Sequence, residues 1–214
     1  MKTPMLPLGR LFATACLCLL PAGTGRAAEP AYEFLSPDDP AIAEIRRLGE
    51  RVVDHAGGAL LSEVRRTLTT DTPALAVAKL HLKDYKLPPG APGKPVVTAI
   101  RRTSLRVRSE ANAPDEADLA ALRKIQHQLE EGESISKLLV QKVAYPGQAA
   151  EWRVYRPLAT PGQCLVCHGS KEELGAGVAD NLKTFFPADQ AVDYTPGSWR
   201  GLLRVSIAEA GPAK

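Results

Sequence analysis

Residues 160–170 read TPGQCLVCHGS. The run Cys164-Leu165-Val166-Cys167-His168 inside it restricts the chain more than any other feature. Two thiols three positions apart fit one short helical turn, and a histidine follows the second thiol directly. A disulfide oxidoreductase carries its Cys-x-x-Cys early in a βαβ pattern; here the pair falls near the C-terminus, after a proline-rich loop. A structural zinc site needs four ligands, and the chain has no second cysteine pair outside its N-terminal leader. A disulfide across so small a loop stabilises little. What remains is the attachment signature of c-type haem. In that reading Cys164 and Cys167 bond covalently to the porphyrin edge, and His168 is the proximal ligand of the iron. One motif means one haem c. A redox-active or disulfide-bonded cysteine pair stays open as the alternative.

The other two cysteines, Cys16 and Cys18, lie in MKTPMLPLGRLFATACLCLLPAGTGRA, residues 1–27. Basic residues, an apolar run over Leu11–Leu20 and then small residues form the layout of a secretory signal peptide, with cleavage expected after Ala27. The apolar run is short for a membrane span. The alternatives are an uncleaved anchor and lipid attachment at Cys16 or Cys18, whose preceding residues fit a lipobox poorly. The expectation is an exported, periplasmic protein with no stable membrane span after cleavage. Residues 28–214 then form a single domain. The chain holds 27 basic and 24 acidic residues. Lys2, Arg10 and Arg26 leave with the leader, so the remainder balances at 24 against 24. No basic block or run of stacking aromatics suggests nucleic acid as a partner. Met1 and Met5 leave too, so the mature chain has no methionine and only two cysteines.

The rest of the chain reads as α+β. Residues 28–36 form an extended arm. SPDDPAIAEIRRLGERVVDHAGGALLSEVRRTL carries apolar residues at helical spacing after an Asp39 cap and Pro40, with Gly57-Gly58 expected to break or kink it. A second helix starts at Thr72-Pro73. PPGAPGKP is a loop, and Val96 to Arg108 reads as strand, Thr103, Leu105 and Val107 alternating with Ser104, Arg106 and Arg108. ANAPDEADLAALRKIQHQLEEG is a helix with Leu119, Leu122, Gln126 and Leu129 as its stripe. Strands follow over 135–145, 152–158 and GLLRVSI. Helices first, then antiparallel strands with one helix inserted, give an α+β domain.

Four stretches carry a family resemblance: TPALAVAKLHLKDYKL, TSLRVRSEANAPDEAD, VYRPLATPGQCLVCHG and FFPADQAVDYTPGSWRGLLRVSI, the last read as a closing hairpin that includes Arg200-Gly201. In this order they resemble the single-haem c-type cytochrome domains with a PAS-like fold, long known only as a domain of unknown function. The resemblance implies a PAS-like antiparallel sheet with N-terminal helices packed around it and one covalent haem. In better-known members a cysteine on the second helix is the other axial ligand, and that position falls on Leu80 here. Thiolate and methionine ligation are therefore closed, leaving a histidine, an amine or an open site. His81 adjoins Leu80 and shares a helical face with Ala74 and Val77, which makes it the candidate second ligand. It is offset by one residue, about 100° of helical turn. His55 and His127 are expected at the surface. Arginine pairs with carboxylates through a planar fork, so Arg106, Arg108, Arg153 and Arg156 are candidates for the haem propionates, and Tyr155 for a haem-edge contact. Electron transfer through a six-coordinate haem, to a redox partner the sequence does not identify, is the expected function. A redox or diatomic-gas sensor acting through a separate partner is the alternative. With no second haem motif and no distal acid/base set, no enzyme activity is expected.

Overall fold

The computed structural model describes residues 30–80 and 85–209. The leader and His81 lie outside the described residues. The first strand, β1 (Ala31–Leu35), is the extended arm. Asp39 caps a 3-10 turn by accepting from the Ala41 amide, and α1 (Ala43–Thr70) follows as one helix. The expected break at Gly57-Gly58 does not occur. Each glycine costs only about 1 kcal/mol against alanine, and Val53 and Ala56, in the turn before, are buried. α2 (Pro73–Leu80) begins where the sequence places it, with the Thr72 hydroxyl accepting from the Leu75 amide.

The remaining elements are β2 (Val96–Thr103), α3 (Glu116–Glu130), β3 (Leu139–Ala144), β4 (Glu151–Ala159), α4 (Leu165–His168), α5 (Ala176–Phe185) and β5 (Trp199–Ala208). The five strands form one sheet in the order β1-β3-β4-β5-β2, antiparallel at every pairing. This is the expected α+β arrangement. Strand alternation gives the sheet two apolar faces. On one, Trp152 and Val154 of β4 and Leu203, Val205 and Ile207 of β5 pack with Ile45 and Val53 of α1. On the other, Tyr155 and Leu202 pack with Ala121, Leu122 and Ile125 of α3. The contact with α1 is close. A Cβ on Gly49 would lie 2.3 Å from Val154 Cγ2, so the helix seats on β4 only because position 49 has no side chain.

Three further sequence readings are corrected. The strand starting at Val96 ends at Thr103, and residues 104–108 are irregular. Ser104 there donates its hydroxyl to Arg200 O (2.8 Å) in place of a ladder bond. The buried stripe of α3 is Ala117, Asp118, Ala121, Leu122 and Ile125, while Leu129 is exposed. The stripe is turned because Asp118 closes the capping box with Asp115 and is drawn inward by Arg204. α5 is an unexpected helix, and FFPADQAVDYTPGSW is no hairpin. Between α5 and β5 the chain runs as an irregular strap.

Candidate functional site

The Cys-x-x-Cys-His run lies in the β4–β5 connection. A 3-10 turn over Gly162–Cys164 leads into α4, so the motif occupies consecutive helical turns. Helical spacing sets Cys164, Cys167 and His168 on one side, and all three line a cavity of about 400 Å³. Both cysteines are free, half-buried thiols, and burial pushes both thiol pKa values up.

The strap fixes the histidine. Tyr194 N donates to His168 O (2.9 Å) and Asp193 N to Gly169 O (2.7 Å). The His168 ring makes one side-chain bond, between Nδ1 and Ala191 O (2.6 Å). A carbonyl only accepts, so Nδ1 carries the proton and Nε2 keeps its lone pair. Burial holds the imidazole well below its ordinary pKa, and the Arg108 and Arg200 guanidiniums add to that shift. His168 is therefore a neutral donor whose tautomer is set from behind, as in a metal-binding histidine. Tyr194 meets its ring edge-on, with centroids 6.1 Å apart.

The wall opposite is apolar. Leu60, Leu61, Val64 and Leu68 of α1 and Ala76, Val77 and Leu80 of α2 line it. The four α1 side chains are only half-buried: their face looks into the cavity. α2 is held there by α5, through Val77 against Val178 and Leu182 and by Asn181 Nδ2 donating to Ala74 O (2.7 Å). The sheet side supplies polar groups, Arg102, Thr103, Ser104, Arg108, Thr160, Gln163 and Arg200. Gly201 also lines this side. Its φ of 148° is rare for other residues, and a Cβ would lie 2.3 Å from Thr103 O.

The predicted residues divide. Arg108 lines the cavity, pairing with Asp189 (3.0 Å) and donating to Cys167 O and Ala191 O. Arg106 does not line it. Its guanidinium lies 4.5 Å over the Tyr194 ring and donates to Gln190 O and Val192 O. Arg153 and Tyr155 lie on the opposite face of the sheet. There Arg153 meets Asp115 (2.6 Å), Glu151 (2.6 Å) and Asp118 (3.3 Å), and Tyr155 donates to Gln141 Oε1 (2.8 Å). Arg156 pairs with Asp54 of α1 at 2.6 Å. The propionate and haem-edge assignments of Arg106, Arg153, Arg156 and Tyr155 thus have no counterpart in the cavity lining. His81 lies outside the described residues. His55 and His127 are exposed as expected, and neither lines the cavity. Sequence reasoning missed Arg102 as a site residue and took Arg200 only as part of a family stretch. Their one available signal was charge on strands that border the motif.

The Tll0287-like family model matches residues 94–208. The chain belongs to this family. The match takes in three of the four stretches that carried the resemblance and the whole Cys-x-x-Cys-His run. A solved structure described as the cyanobacterial heme-protein Tll0287 aligns over 72% of this chain and 96% of its own, with 19% identity and a TM-score of 0.40. No curated protein matches significantly.

Proposed function

We propose that the protein binds one haem c in this cavity and works as an exported, periplasmic electron carrier. One observation carries the reading. Cys164, Cys167 and a neutral His168, its Nδ1 held by Ala191 O, converge on a largely apolar cavity. The residues fit the group. The motif sulfurs would hold it covalently, and Nε2 of His168 would ligate the iron. Thr103 and Thr160 hydroxyls and the Gln163 amide line the same cavity, buried and without partners among the described residues. Such orphans are costly unless a ligand satisfies them. Membership of a family whose namesake structure is titled a heme-protein supports the same reading.

Bound haem supplies a one-electron iron couple, whose potential is tuned by axial ligands and burial. The chain's part is to present an unprotonated imidazole, to keep water from the iron with the leucines of α1 and α2, and to bring charge to the polar side. His81, the residue after the last of α2 in sequence, would be the second residue to hold the iron, which would leave no open position and suit electron exchange with a separate partner protein. The leader pattern of residues 1–27 supports export. The reading as a redox or gas sensor is favoured by a different observation. Among the described residues lining the cavity, the motif supplies every histidine and cysteine, and there is no methionine, which suits an open iron site.

Expression of the full chain in a host with periplasmic haem-c assembly tests both. The denatured protein should keep its haem through acid–organic extraction, and Cys164→Ala or Cys167→Ala should abolish that retention. Cleanly extracted haem from the wild type ends the reading. The reduced wild type should ignore carbon monoxide and His81→Ala should bind it. A wild type that binds carbon monoxide at once makes the sensor the better reading.

A further inference from the structure

The cavity holds three arginines, and their partners differ. Arg108 is neutralised by Asp189 at 3.0 Å, with both side chains nearly buried. Among the described residues Arg200 donates only to neutral oxygens, Ser104 Oγ (2.7 Å), Arg106 O (3.2 Å) and Tyr194 Oη (3.5 Å). Arg102 has no carboxylate at ion-pair distance among the described residues. Two uncompensated guanidiniums therefore border one partly enclosed space. Both residues are partly buried, and a charge drawn out of water without a counter-charge is unfavourable. Burial lowers the Arg200 pKa, and Arg108 and Arg102 add to that against the opposing pull of Tyr194 and Asp189. Beside them Thr103 and Thr160, 3% and 1% exposed, and Gln163 carry unpartnered polar atoms. Hydroxyls, an amide and two guanidiniums make a donor set for carboxylates.

We propose that Arg102 and Arg200, with Thr103, Thr160 and Gln163, form a cradle for a dicarboxylate, and that the two propionates of the haem are its occupants. This rests on the haem reading above. Two free cations match two carboxylates, and the cradle and the thiols border one cavity, so a group tethered by the thiols can reach both. The cradle accounts for polar groups that the cysteines and His168 leave unexplained, and it replaces Arg106, Arg153 and Arg156 as the propionate partners. Pairing the propionates with fixed cations also favours reduced iron, since the carboxylates then stabilise the ferric charge less.

The test is a redox titration of the holoprotein at one pH, with resonance Raman of the propionate bending modes. Arg102→Gln and Arg200→Gln should each lower the midpoint potential and shift the propionate modes. The double variant should lower the potential further, and Arg102→Lys should retain most of the wild-type value. Arg101→Gln is the control: the neighbouring Arg101 donates to Ala111 O (2.7 Å) outside the cavity, and its loss should move neither readout. Arg200 also braces Ser104, so if its variant does not fold, Arg102→Gln alone decides. Unchanged potential and propionate modes in a haem-loaded Arg102→Gln overturn the cradle and leave the haem reading standing. Haem lost on denaturation of the wild type overturns the haem reading instead.

Discussion

At the scale of single residues, charge does different work on the two faces of the sheet. On the cavity side Arg102 and Arg200 have no carboxylate at ion-pair distance among the described residues. Under α3, Arg153 and Arg204 are surrounded by Asp115 and Asp118. Burial opposes ionisation of Asp115, yet the Arg153 hydrogen bond and the Asp118 amide outweigh it and hold the carboxyl below its usual pKa. A depressed carboxylate stabilises the fold fully above its unfolded pKa of about 3.9, and that contribution is lost as pH falls through the folded value. Asp115→Asn keeps a side chain able to cap α3 and removes the charge together with the oxygen that accepts from Arg204. It should lower stability at neutral pH on the order of 1 kcal/mol, a figure discounted because Asp115 is partly exposed. Denaturation curves of variant and wild type should converge as pH drops below the carboxylate range. A gap of constant size at all pH values would mean that the charge is not the stabilising feature.

Among the elements, the seating of α1 on β4 sets where the cavity lies. The first half of the helix buries Ile45, Gly49 and Val53 on the sheet, and the second half overhangs the motif. Gly49→Ala opposes two effects. Helix propensity gains about 1 kcal/mol. The new Cβ, 2.3 Å from a branched side chain that cannot rotate away, costs about 1–3 kcal/mol by overpacking. The contact should win, and urea unfolding should show a net loss. Val154→Ala in the same chain should recover part of it, a coupling that a double-mutant cycle measures. A stabilised Gly49→Ala would mean that α1 sits further from the sheet.

For the molecule as a whole, the fold divides into a sheet packed on both faces and a cavity wall whose inner face is apolar. Leu60, Leu61, Val64 and Leu68 present apolar surface that only a ligand removes from water. On the proposed haem reading, hydrogen exchange in the double variant Cys164→Ala/Cys167→Ala should therefore quicken in the second half of α1 and in α2. The central strands β4 and β5 should keep their protection, because their partners on both faces are protein. Equal loss of protection throughout would mean that the cavity wall and the sheet unfold as one unit.

The local sequence by itself determined most of the elements and the short helical turn that carries the motif. Ligand spacing, caps and periodicity are short-range properties, so the helical turn at Cys164–His168, the Asp39 and Thr72 caps and the alternation of β4 were legible, as was the family. The helix through Gly57-Gly58, the rotated stripe of α3 and the helix α5 were not, since burial against distant residues overrode local preference. The same holds for the arginines. Strand alternation separates Arg153 from Trp152 and Val154, but only packing against α3 decides that this face lies away from the cavity. Whether an arginine meets a carboxylate depends on residues far along the chain: Arg108 finds Asp189, Arg153 finds Asp115, and Arg102 finds none among the described residues. Tertiary structure alone distributes these counter-charges, because ion pairing acts through space at a few ångströms while the sequence orders residues only along the chain.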